Sequence, residues 1–230
     1  MKKIIVCVIG AFFIYGCFAS MPEKVDPQYL KEKTPEQEKK IESIELEIIK
    51  ISEEKDKSAE DLKVTDLKIP VIKKEISQIE GQIALIKDQQ KVYLETKENA
   101  KYEESKKELQ KNEEQQKISE LKLKYYKAKK EDQESTFKVK EMSLFAKNSE
   151  KSFEEAKIGR ASQDKIMGPP PKDKDGKIQD KDRIQVSKHE DYYKSQLESL
   201  AKKQKDQEKT FQQMKAAEAS LKAAGYTGEL

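Results

Sequence analysis

A chain of 230 residues that is 40 % charged and 35 % hydrophobic, with no tryptophan and a mean hydropathy of −0.96, cannot fill a conventional globular core; it is either disordered or a long helix or coiled coil, and periodicity separates the two. The net charge of +3 excludes little by itself, but without Lys2 and Lys3 the 47 basic residues fall to 45 against 44 acidic ones, and the signs interleave, as in Lys106-Lys107-Glu108. Nucleic acid is therefore not an expected partner, because a phosphate-binding face needs a net positive field.

The first residues stand apart from the rest. Met1-Lys2-Lys3 is a short positive start, and Ile4 to Tyr15 is a nearly continuous apolar run. Charged region, apolar region and small residues in that order make a secretory signal, and the run is too short for a stable bilayer-spanning helix. Both cysteines, Cys7 and Cys17, fall in this leader, so the body is expected to have neither a disulfide framework nor a thiolate metal site.

The leader ends in Ile14-Tyr15-Gly16-Cys17. This resembles a lipobox, the signal of bacterial lipoproteins, in the relaxed form seen in spirochaetes: Ile14, Gly16 and Cys17 fit, and Tyr15 departs from the usual small or β-branched residue. The resemblance implies a signal peptide over 1–16 and a diacylglyceryl thioether on Cys17 as the new N-terminus. It also implies a membrane as partner, through that anchor. Phe18-Ala19-Ser20 carries no acidic inner-membrane retention residue, so the outer membrane is expected, on either face. Cleavage after Ala19 by the ordinary signal peptidase is the alternative.

Residues 17–33 read as a tether, with Pro22 and Pro27 and no apolar periodicity. Thr34-Pro35-Glu36-Gln37 is a helix start: a capping side chain, proline at the first helical position and a capping-box partner. Ile41, Ile44, Ile48 and Ile51 then mark a heptad seam, and a second seam runs Ile72, Ile76, Ile79, Ile83 and Ile86. Pro70 separates them and disfavours the helical region for Ile69. A joint at Lys68-Ile69 is expected, as a hairpin turn, with a single kinked helix as the alternative.

Residues 97–117 are nearly all charged or Gln and are expected to form a solvated helix. Packing resumes at Ile118, Leu121, Tyr125 and Ala128, then Phe137, Met142, Phe145 and Phe153, and Ile158-Gly159 reads as a helix end. A proline- and charge-rich loop is expected over 159–183. A last helix over 184–225, with a seam at Tyr193, Leu197, Leu200, Gln204, Gln207, Phe211, Met214, Glu218 and Leu221, would close on Gly225 before a tail over 226–230. The fold class expected is all-α: an elongated coiled-coil rod of long antiparallel helices over 34–158 and 184–225, without a compact core.

Chemistry is sparse. His189 is the only histidine and is expected to face solvent, and no zinc ligand set accompanies it. Asp173-Lys174-Asp175-Gly176 resembles the middle of an EF-hand loop, but Pro171 and Asp182 stand where the first and last ligands belong, so a charged turn is expected instead. No catalytic residue, cofactor, metal or small-molecule substrate is expected. Two functions remain: an envelope-anchored, non-catalytic interaction, spacer or surface-binding protein using Cys17, or a soluble periplasmic chaperone or assembly adaptor with helical arms. Either would meet protein partners, or itself, through helical seams.

Overall fold

A computed structural model describes residues 21–175, 178, 180, 182–228 and 230. The expected leader, with Cys17, lies outside the described residues. The chain is all-helical. A short 3-10 turn (Pro27–Leu30) precedes α1 (Pro35–Glu95), α2 (Asn99–Met167) and α3 (Val186–Ala223). At 1.5 Å per residue their 61, 69 and 38 residues measure about 92, 104 and 57 Å. The only bridge outside helices among the described residues joins Lys172 to Ile178.

Helix α1 begins as the capping signal requires. Thr34 Oγ1 accepts from Gln37 N at 3.2 Å, and Gln37 Oε1 accepts from Thr34 N at 2.9 Å. It does not stop at Lys68-Ile69. Pro70 lies inside it, on the exposed side. The expected joint is corrected by the phase of the seam: Leu62, Thr65, Ile69, Ile72 and Ile76 continue the steps of three and four set by Ile41, Ile44, Ile48 and Ile51. A hairpin turn would break that phase. A proline on the solvent face removes one backbone donor, and water can satisfy the carbonyl left behind.

The turn is found instead at residues 96–98. Glu98 N donates to Tyr93 O at 2.9 Å and Lys97 N to Leu94 O at 3.3 Å, the paired bonds of a Schellman motif. Its left-handed position, usually glycine, is held by Lys97 with φ 59°. The same motif closes α3 on Gly225 as the sequence suggests: Tyr226 N donates to Leu221 O and Gly225 N to Lys222 O, with φ 90° at Gly225.

Helix α2 is the centre, with α1 and α3 both packed antiparallel on it. Two heptads on from Lys40, which pairs with Glu154 at 2.8 Å, stands Glu54. Two heptads back from Glu154 stands its partner, Lys140. Asp66–Lys130 at 2.6 Å and Glu75–Lys122 at 3.3 Å continue the antiparallel pairing along the seam. Such solvent-screened pairs add little stability but favour one alignment. Adjacent tyrosines show the two seams of α2. Tyr126 faces Lys68 of α1 and Tyr125 lies near Glu218 of α3, with their rings edge-on at 5.2 Å. Together with Ile72, Ala217 and Leu221 they form a buried cluster where α3 ends.

Residues 99–117 are helical and mostly exposed, as the sequence suggests; they follow the turn and form the first part of α2 along the end of α1, where Gln116 Nε2 reaches Glu80 and Lys87 pairs with Glu113 at 3.4 Å. Two further expectations change. In α3 the line Tyr193, Leu200, Gln207, Met214 and Leu221 holds, but the second line shifts by one residue to His189, Gln196, Lys203, Thr210 and Ala217, leaving Leu197 exposed. Phe145 is likewise half exposed, and Ala146 takes the buried position.

Candidate functional site

Most of the described non-helical segments meet at one end, where α2 finishes, α3 starts and residues 21–33 arrive. Residues 21–33 are not a free tether there. Asp26 Oδ1 caps the 3-10 turn by accepting from Gln28 N at 2.9 Å, and Pro27 opens it. This segment lies against α2. Val25 is buried and sits over Gly159: a Cβ built on Gly159 would stand 2.6 Å from Val25 Cγ1 and 2.7 Å from Ile184 Cδ1. Gly159 is thus a close-approach glycine inside α2 and not the helix end that Ile158-Gly159 suggests. The helix runs on to Met167 and stops at Gly168, with φ 71°, before the prolines.

The loop that follows is tied back by the only two arginines of the chain. Arg160 Nε bonds Asp164 at 3.1 Å, and its Nη1 bonds Asp180 at 2.8 Å and the Ile184 carbonyl at 3.3 Å. Arg183, only 6 % exposed, meets the same Asp164 and donates to the Gly168 carbonyl at 2.6 Å. Two guanidiniums on one carboxylate hold the Asp164 carboxyl below its ordinary range, against the opposing effect of burial. Ile184 N donates to Gln163 Oε1 at 2.8 Å. The planar guanidinium presents five donors in a fixed fork, so it holds a side chain and a backbone carbonyl at once in a set geometry.

His189 corrects the solvent-facing expectation. It is 4 % exposed, and its Nδ1 lies 2.9 Å from Ser152 Oγ. Burial pushes the imidazole pKa down, so the neutral form is held. The pair joins α3 to α2, with Tyr193 stacked on Phe153 one turn further on, at 6.2 Å between centroids. Between this face and residues 21–29 lies an open cavity of about 690 Å³, bordered by Met21, Val25, Tyr29, Arg183 and His189. In the loop, Asp173 Oδ1 accepts from Asp175 N at 3.0 Å, a local Asx turn, and Gly176 lies outside the described residues. Among the described residues, no group of three or more metal-ligating side chains is found.

What this end does physically is clasp. It fastens the segment that follows Cys17 to the last turns of the central helix. Sequence reasoning missed the clasp, although one signal was available: in a chain of 47 basic residues, both arginines and the single histidine fall between 160 and 189. Among the described residues, no helix is long and apolar enough to cross a membrane. Compared with known protein families, curated proteins and solved structures, the chain matches none, and its function is argued from this geometry.

Proposed function

We propose that the protein is an exported lipoprotein of the cell envelope, held at the outer membrane by lipid on Cys17. It acts without catalysis, as an elongated coiled-coil rod that spaces, or presents a surface to, protein partners. The observation that carries this reading is the docking of residues 21–33 at the end of α2 remote from the α1–α2 turn. An anchor at Cys17 and the turn at 96–98 then sit at opposite ends of a helix about 104 Å long. The buried side chains run in lines along that helix, in keeping with a rod that has no compact centre. Each buried lipid methylene contributes roughly 0.8 kcal/mol, so a diacyl anchor holds stably where one chain is marginal.

The test is incorporation of labelled palmitate into the wild-type chain and its loss in Cys17→Ala, followed by fractionation. The expected result is a labelled wild type in the membrane fraction and an unlabelled variant that is released. An unlabelled wild type, or a Cys17→Ala chain that stays equally membrane-bound, overturns the reading. Soluble periplasmic wild type that suppresses aggregation of unfolded clients would favour the adaptor instead. Protease shaving of intact cells identifies the face from which the rod projects.

A further inference from the structure

We propose that the anchor-proximal end of the bundle is itself a membrane-contacting face, seating Met21, Ile166, Met167 and Ile178 in the interface of a lipid bilayer. This rests on the Cys17 reading. All four side chains are large, apolar and exposed, at 65, 71, 52 and 59 %. They belong to one end of the molecule. Arg183 borders the same cavity as Met21 and bonds both Asp164 and the Gly168 carbonyl, which bracket Ile166 and Met167. Ile178 pairs with Lys172 in the loop that leaves Met167.

Covalent reach decides what covers them. Three residues separate Cys17 from Met21, and the four Cα-to-Cα steps span at most about 14 Å when extended. A lipid on Cys17 therefore brings this end to the headgroup region whatever path the intervening residues take. Apolar side chains that are unfavourable in water gain free energy there. Lys165, Lys172 and Lys174 are exposed around the same end and can extend their ammonium groups toward anionic headgroups. Another exposed apolar stripe, Val64, Leu67 and Val71, begins 29 residues along α1 from Pro35, about 43 Å away, and is out of the bilayer's reach in this orientation. A lipid tail on a loose tether lets a rod lie flat, whereas a second contact at its base makes α2 stand away from the membrane.

The experiment uses the protein purified with its own lipid, reconstituted in vesicles of phosphatidylcholine and phosphatidylglycerol that contain a phospholipid with a diazirine in its acyl chain. After illumination, crosslinked peptides are mapped by mass spectrometry. Crosslinks should concentrate on Met21 and on residues 166–178, several-fold above the peptides holding Leu67 and Leu94. The double variant Ile166→Glu, Met167→Glu should lose them with its helical circular dichroism unchanged. Crosslinks spread evenly along α1, or absent from 166–178 in a palmitate-labelled protein, overturn this face and leave the anchor standing. Crosslinks at 166–178 in a chain without palmitate retain the face and overturn the anchor.

Discussion

The two halves of α2 live in different surroundings. From about Tyr125 to about Ala156 it is covered on two sides, by α1 and α3, and beyond that it meets residues 21–33 and the clasped loop. From Asn99 to about Ile118 it has α1 alone. The covered half buries Tyr125, Tyr126, Ala146 and Ala156. The other half buries only Ser105 among its first residues, and α1 supplies the apolar surface through Ile79, Ile83 and Ile86. The same helix thus changes from a packed element to a partner that offers its backbone and the stems of long side chains. A helix with one neighbour keeps more of its hydrogen bonds at the solvent boundary, so the half bearing the turn should open locally while the basal half holds.

Truncation tests the contrast most strongly. Leu221 is completely buried in the cluster where α3 ends, and Leu221→Ala should cost about 3 kcal/mol in urea denaturation. Ile83→Ala in the two-helix half should cost less, about 2 kcal/mol, and speed amide exchange only near residues 79–116. Equal costs with global exchange in both variants would dissolve the distinction between the halves.

Acid should strike the basal half first. The folded-state pKa of His189 is depressed by burial, so its stabilising contribution is complete above the unfolded value of about 6.5 and is lost as pH falls through the folded one. The urea midpoint should drop on acidification, and His189→Gln should flatten that drop. An unchanged slope in the variant assigns the effect to other groups.

Asp132 sharpens the picture from the opposite sign. Burial raises its pKa against the donors Gln207 Nε2 and Thr210 Oγ1, each at 3.2 Å. The charged form is the disfavoured one in the folded state, so stability from this group rises as pH falls through the folded value toward about 3.9. Asp132→Asn keeps an acceptor and removes the charge. It should raise stability by about 1 kcal/mol at neutral pH, and by less in acid. The smallest effect belongs to the far end: Lys97→Gly relieves a left-handed backbone and should gain about 0.5–1 kcal/mol, seen as slower exchange at the turn.

Of the two places on which the proposed function rests, the sequence exposes one. Cys17 is legible because the pattern that resembles a leader and its cleavage signal is contiguous in sequence, and it lies outside the described residues. The clasp is not legible, because Arg183 finds Asp164 and Arg160 finds Asp180 across a loop whose path no local pattern dictates. Gly159 misleads for a related reason. A glycine at a helix end and a glycine under a crossing segment look alike until Val25 and Ile184 are placed over it.

What the sequence alone determined is whatever a few neighbouring residues decide among themselves: the capping box at Thr34, the seams at steps of three and four, the proline loop and the glycine that closes α3. Tertiary structure decided the rest. It carried α1 through Pro70, put the turn on Lys97, made α2 the shared centre, moved one line of α3 by a residue and buried His189. Each of those outcomes depends on which face another helix covers. Burial free energy summed over tens of ångströms of seam outweighs the local preference of any single residue along it.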